Sequence, residues 1–308
     1  MTAADGLGLS ALDRSDQFPP DAVEFADGSG RSVLVVNGRS FPWLHEVAER
    51  TLDDKAWTKR RLAEVSIPTP AGRTFSAPGD LKVDWGSVGA QVCKPVVGTH
   101  GQGVAIGLTS AADLEAHCAN HPAPAWILED LIEGRDLRLQ LLEGRLVAAC
   151  VRRPASVIGD GRSTVDQLMT ALDSEVRARN PANRCLPDAD TERALAKQSL
   201  GLASTPGDGA FVTVKTVANL AVGASVVDVT DDVHPTWRRW ATEFAERIDL
   251  PFFAMDAITP DPGLDPVICG AAVLEANARP EWLHHTFSER RTHDLPRQIL
   301  RALFASAT

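Results

Sequence analysis

The sequence contains no tyrosine, so no tyrosine hydroxyl can contact a substrate anywhere in the chain. It also lacks a C-x-x-C pair. The five cysteines, Cys93, Cys118, Cys150, Cys185 and Cys269, are odd in number and scattered, which suits reduced thiols in a cytosol better than a disulfide framework or a zinc site. No stretch approaches the roughly 20 consecutive apolar residues of a membrane span. The start, MTAADGLGLSALD, has neither the basic residues nor the apolar run of a leader, so the chain reads as cytoplasmic with no membrane partner. An excess of positive charge is missing as well: 31 Lys and Arg face 41 Asp and Glu, a net charge of −10. A broad nucleic-acid face, which works by counterion release, is thereby excluded, although a local basic pocket for a polyphosphate is not. Internal repeats and low-complexity linkers are also lacking.

What is present suits a globular chain. The 308 residues, 44% hydrophobic and 23% charged, suffice for one large domain or two to three smaller ones. The first thirty residues, rich in Asp, Gly and Pro without periodicity, read as a loosely held arm. Ser32 to Gly38 reads as a buried strand ending in a turn. A helix is expected across HEVAERTLDDKAWTKRRLAEV, with Trp57, Leu62 and Val65 at helical spacing, stopping before Ile67-Pro68. Residues 89–108 read as strand, glycine loop, strand, followed by a helix with Asp113, Leu114 and Cys118 and the strand WILEDLI. A hairpin is expected around Glu143-Gly144. Ser163 or Thr164 can cap a helix through VDQLMTAL with Asp166 or Gln167 completing a capping box, and Thr191 can cap ERALAKQSL. FVTVKTVANL and ASVVDVT read as a strand pair. After them Pro235 opens a helix whose apolar face carries Trp237, Trp240, Ala241, Phe244, Ala245 and Ile248, with His234 as its cap. Strands FFAMDAI and AAVLEANA and a helix around LPRQILRALF follow, so the class is mixed, α/β or α+β.

Three constellations carry chemistry. Lys94 leads into a G-x-x-G-x-G loop, Gly98 to Gly103, which is neither a Rossmann fingerprint nor a P-loop because a strand follows it. Such a loop can fold over phosphates and offer backbone N–H groups; the same residues also fit an ordinary hairpin with a surface lysine. Asp256 lies within an apolar strand, where an ionised carboxylate needs a partner or a metal. Glu275 and Asn277 share one face of the other strand, and the three form a hard-oxygen set suited to magnesium. The alternative is that Asp256 makes a structural hydrogen bond and Glu275 meets an arginine. Finally, EDLIEGRDLR (Glu129 to Arg138) joins two strands through Glu133-Gly134, as a nucleotide hinge does.

These residues resemble the ATP-grasp superfamily, most closely the ATP-grasp part of cyanophycin synthetase and more distantly glutathione synthetase and D-alanine–D-alanine ligase. The resemblance runs from about Asp54 onward through DKAWTKRRLAEVSIPTP, KPVVGTHGQGV, LEDLIEGRDLR, RRPASVIGDGRSTVDQL, ANLAVGASVVDVTDDVHP, MDAI and LEANARP. It implies two α/β subdomains clamping ATP: a lid at 55–128 and a carboxy-terminal subdomain at 129–308, after an arm and a shortened amino-terminal region at 1–54. By resemblance Lys55 and Lys94 bind phosphate, with Gly98, His100, Gly101 and Gly103 in the loop above them. Glu129 is the adenine-hinge acid and Asp136 the ribose-binding acid. Asp256, Glu275 and Asn277 hold magnesium, with manganese as a substitute. Arg138 and Arg152 lie near the transferred phosphate or the acyl group. Arg152, or Arg279, stabilises an oxyanion, and Lys215, Asn219 and His285 contact substrate.

The implied activity is ATP-dependent carboxylate–amine ligation through an acyl phosphate, on amino acids or small acids, by a homodimer. The alternative is a phosphotransferase or a nucleotide-binding subunit that a partner completes. The sequence departs from the family pattern at Ser156, Lys215 and Glu281, and Ala254 replaces an arginine of the D-alanine–D-alanine ligases, so the substrate side is expected to be remodelled. No Mur-ligase-like domain is expected to follow. Adjacent His284 and His285 also read as a surface turn, and Arg152-Arg153 as a solvated pair.

Overall fold

The computed structural model describes residues 2–17, 21–38, 41, 51–98, 101–179, 181 and 183–305. They form two compact units: Met1–Ala149, Val229–Phe287 and His293–Thr308 in the first, Cys150–Asp228 and Ser288–Thr292 in the second.

The first unit opens with a short helix α1 (Thr2–Asp5) and an antiparallel meander, β1 (Ser10–Asp13), β2 (Ala22–Ala26) and β3 (Ser32–Val36). This corrects the reading of a loose arm. Val33 and Val35 are buried with Leu295, Ile299 and Leu303, and the Arg31 guanidinium donates to the Leu303 and Phe304 carbonyls at 2.6 Å each. β3 is the strand expected at Ser32 to Gly38; the half-exposed β1 and β2 beside it carry no alternation to mark them, and the carbonyls that anchor Arg31 lie some 270 positions away.

Helix α2 (Lys55–Glu64) starts at Asp54, whose carboxylate accepts from the Trp57 N–H, and ends at Val65-Ser66 before Ile67-Pro68. Most of the preceding part of the expected helix lies outside the described residues. Next come β4 (Gly72–Phe75), β5 (Gln91–Pro95), β6 (Ala105–Leu108), α3 (Ala111–Asn120) and β7 (Trp126–Asp130). The four strands form one antiparallel sheet, ordered β4-β7-β5-β6, over a core containing Phe75, Cys93, Leu114, Trp126 and Leu128. β8 (Arg135–Leu142) and β9 (Arg145–Arg153) make the expected hairpin. Glu143 and Gly144 both have positive φ (50° and 73°), as a two-residue turn between twisted strands requires.

β9 continues past Ala149 into the second unit, where its residues 150–153 pair with β12 (Ser225–Asp228). Between them lie β10 (Ser156–Ile158), α4 (Val165–Arg179), α5 (Ala189–Ala196) and β11 (Phe211–Thr213) around a core that includes Val165, Met169, Cys185 and Leu195. The capping box of α4 is Thr164/Gln167: the Gln167 side chain accepts from the Thr164 N–H and the Thr164 hydroxyl from the Gln167 N–H. α5 corrects the expected cap. Its N-cap is Asp188, and Thr191 is the third helical residue, reaching back to the Asp188 N–H. FVT and SVVD do not pair with each other as expected: β11 pairs with β10, and β12 with β9. A 3-10 turn at Leu220–Val222, capped by Asn219, separates them.

The chain returns to the first unit with α6 (Pro235–Ile248), β13 (Phe252–Thr259) and β14 (Ala272–Asn277), and later α7 (Leu295–Ala305). As expected, Pro235 is the first residue of α6 and the His234 ring accepts from the Thr236 N–H. Trp237, Trp240, Ala241, Phe244 and Ala245 are buried, and the Phe244 ring meets Phe253 edge-on at 5.9 Å. Within this unit the strands run β9-β8-β13-β14, with β13 central and buried along nearly its whole length.

Candidate active site

Two of the three sheets of the first unit, β4-β7-β5-β6 and the one carrying β8, β13 and β14, deliver charged side chains to one region. Lys55 is the first residue of α2 and is buried; its N–H donates to the Val96 carbonyl at 2.9 Å and its ammonium to the Gly98 carbonyl at 2.6 Å. The helix is thus tied to the start of the glycine loop. In that loop Gly98, Gly101 and Gly103 all have positive φ, and a Cβ at Gly103 would come within 3.0 Å of the Pro95 ring. His100 lies outside the described residues.

On β5, Cys93 and Lys94 point to opposite faces, Cys93 into the core and Lys94 toward Glu129 of β7. The Lys94 ammonium is 2.5 Å from Glu129 Oε1. Lys59, one helical turn beyond Lys55, is 2.6 Å from Glu129 Oε2 and donates to the Pro70 carbonyl at 2.7 Å. Glu129, read as an adenine-hinge acid, is therefore a buried carboxylate with a lysine at each oxygen. Lys59 was missed in the sequence; its only signal was the four-residue spacing from Lys55. Burial pushes the Lys55 and Lys59 ammoniums below their ordinary range, with Lys94 adding repulsion, while Glu275 holds Lys55 up and Glu129 holds Lys59 up.

Asp256 on β13 and Glu275 on β14 are direct cross-strand partners, and a bulge follows Asp256. Across the other edge of β13, Arg138 of β8 pairs with Asp256 in register and grips it with both ends of its guanidinium, Nε to Oδ1 at 2.6 Å and Nη2 to Oδ2 at 3.1 Å. Burial and then the like charge of Asp256 push the Glu275 carboxyl up; Lys55, 3.8 Å away, opposes this. Glu275, Asn277, Lys55 and Gly98 line one cleft with Leu52, Asp53 and Ala276. Asp53 is a second residue that the sequence reading passed over. Burial raises its carboxyl, against Lys55 and Arg279.

A divalent cation fits this donor set. Two carboxylates on adjacent strands repel each other, and each carboxylate oxygen has a second lone pair, so Asp256 can keep Arg138 and still ligate. Asn277 Oδ1 accepts one bond, from the Arg279 N–H at 2.9 Å, and retains a lone pair.

The Glu133-Gly134 connector is held tightly against β13. Gly134 has φ +153°, and a Cβ there would come within 2.6 Å of the Thr259 carbonyl carbon. Asp136 follows on β8, half-buried opposite Ile258. His284 and His285 are buried, not a surface turn: they belong to a 3-10 turn, Leu283–Thr286, their rings are 4.3 Å apart, and the His285 carbonyl accepts from the His293 N–H. The remaining predicted residues, Arg152, Lys215 and Asn219, lie in the second unit. There Lys215 is buried, donates to the Leu186 carbonyl at 2.7 Å and pairs with Asp188 at 2.8 Å, while Asn219 caps its 3-10 turn.

Antiparallel sheets that bring a glycine loop, buried lysines and a cross-strand carboxylate pair together make up the ATP-grasp fold. The chain belongs to the ATP-grasp superfamily. It is 30% identical to the cyanophycin synthetase of a Nostoc species over 258 residues, which are 81% of this chain and 28% of that protein. It is 26% identical over 313 residues to the glutathione biosynthesis bifunctional protein of Mannheimia succiniciproducens, covering 97% of this chain and 41% of the relative. Of solved structures, the bifunctional glutathione synthetase from Pasteurella multocida superposes with a TM-score of 0.69 at 21% identity, over 98% of this chain and 44% of that one. The chain thus spans less than half the length of each. No protein-family model matches it.

Proposed function

We propose that the chain is an ATP-dependent carboxylate–amine ligase that forms an amide through an acyl phosphate and releases ADP and phosphate. The observation that carries this reading is the convergence of two buried lysines, Lys55 and Lys94, and the partly buried Lys59 with the Asp256–Glu275 pair: a polyphosphate and a divalent cation each find counter-charge in one unit. The names of the relatives favour amino acids or peptides as substrates.

In this reading residues 55–128 act as a lid and 129–308 as the carboxy-terminal subdomain. Lys55, Lys94 and the amides of Gly98, Gly101 and Gly103 hold the nucleotide phosphates, His100 belongs to the same loop, the Glu129 connector faces adenine, and Asp136 faces the ribose. Asp256, Glu275 and Asn277 would hold magnesium or manganese, which supplies charge neutralisation at the phosphates when bound. The carboxylate oxygen attacks the γ-phosphorus and ADP leaves. The amine nitrogen then attacks the acyl carbon, and phosphate departs as the amide forms. Preorganised positive charge stabilises the transferred group without reorganisation, and exclusion of water protects the acyl phosphate. Arg138 and Arg279 carry positive charge in the first unit. The substrate-facing roles of Arg152, Lys215, Asn219 and His285 belong to the same proposal, as does a cytoplasmic homodimer.

The test is ADP release against a matrix of amino acids and small carboxylic acids, each with and without amines, followed by product mass. ADP that depends on both an acid and an amine, with an amide product, is expected. Release that requires only a hydroxyl acceptor would make the chain a phosphotransferase, and full activity in Lys94→Ala would refute the site.

A further inference from the structure

Glu129 is only 2% exposed, and its two oxygens are shared between lysines from different elements, Lys94 of β5 and Lys59 of α2. The Lys59 ammonium also donates to a main-chain carbonyl, that of Pro70, at 2.7 Å. β4 meets Glu129 with Gly72, where a Cβ would come within 2.7 Å of the Glu129 Cβ, so only a glycine lets β4 approach β7 this closely here. Among the described residues, the charges near this cluster include Lys55 of α2, Glu275 of β14 and Asp130, the next residue of β7, which is held by the Gln91 amide at 2.9 Å.

This arrangement poses a problem for Lys94. A phosphate that draws this ammonium off Glu129 takes away one of the two cations on the carboxylate, and an ionised carboxylate buried without a cation is costly. We propose, resting on the nucleotide-binding reading above, that Lys59 is the positioning residue that solves this: it keeps Glu129 charge-compensated, so that Lys94 exchanges the carboxylate for a nucleotide phosphate. Lys59 acts through Glu129 and does not itself touch the nucleotide.

The consequence is a proton. Without Lys59, release of Lys94 strands Glu129, and the carboxylate takes up H⁺ as nucleotide binds. Binding of Mg–ADP to the full chain is measured by calorimetry in buffers of different ionisation enthalpy, between about pH 7.5 and 9, above the range where a terminal phosphate titrates. The wild type is expected to bind with no proton uptake assignable to Glu129. Lys59→Met is expected to take up close to one additional proton per nucleotide, with Kd weakening about tenfold per pH unit. Lys59→Met/Glu129→Gln removes the stranded charge and should lose that slope. Lys59→Gln replaces Lys59→Met if the latter does not fold. A merely structural lysine would lower stability and leave the proton count at the wild-type value, and that result overturns the inference. Failure of the wild type to bind Mg–ADP would instead overturn the nucleotide reading itself.

Discussion

Asp256 stands out in the sequence because a single acid interrupts the apolar run FFAMDAI. Its structural partner does not, since Arg138 is 118 residues away and only the β8–β13 register brings the two together. Asp256 therefore serves stability as well as any metal. Asp256→Ala leaves a buried guanidinium unpaired and is expected to cost about 3–5 kcal/mol in urea denaturation. Adding Arg138→Leu should recover much of that loss while metal-dependent activity stays absent. Lys59 was illegible for the opposite reason. It lies in KAWTKRR among several cations, and nothing in that spacing shows which of them is buried. Cys93 offers a check on the β5 core. Burial pushes its thiol to about 12, so at pH 8 almost no thiolate forms. Peptide mapping after iodoacetamide treatment is expected to find the partly exposed Cys269 modified first and Cys93 protected until the protein unfolds.

Elements with a long period or a strong boundary signal were read correctly: α6 from its apolar face, the β8–β9 hairpin from Glu143-Gly144, and the end of α2, though not its start at Asp54, from the prolines. Shorter elements were read unevenly: β6, β11 and β12 were expected as strands, whereas β1, β4 and β10 were not, and the pairing of β11 with β12 was wrong. β11 has three residues, too few to show alternation, and its partner is set by the fold of the second unit. The α5 start was misplaced by three residues because Asp188 and Thr191 are both good caps and join in one capping box. The glycine connectors were legible as turns but not in their severity. At Gly134 a methyl group would collide with the β13 backbone at Thr259, and φ of +153° is unfavourable for any other residue. Gly134→Ala should destabilise the first unit by about 1–3 kcal/mol. It should also weaken Mg–ADP binding, because the connector can relieve the clash only by moving away from β13. Thermal melts and calorimetry on the same sample report both effects.

At the scale of the whole molecule, the chain leaves the first unit after Ala149 and re-enters it at Val229, and the Val229 N–H donates to the Ala149 carbonyl at 2.9 Å. Each unit has its own core: Val165, Met169 and Leu195 belong to one cluster, Leu295 and Ile299 to another. A chain in which a two-residue turn replaces residues 150–228 is expected to melt cooperatively and bind Mg–ADP while losing ligation. Residues 288–292, whose Glu289 pairs with Val227, are the part left without a neighbour. If the excised chain fails to bind nucleotide, the first unit depends on the second.

An insertion whose two ends are hydrogen-bonded neighbours can be exchanged for a foreign sequence without re-threading the sheet that carries Asp256 and Glu275. Recombination at that one junction would replace the second unit and leave the lysines and carboxylates of the first unit in place. The two halves of the molecule are then free to diverge at different rates.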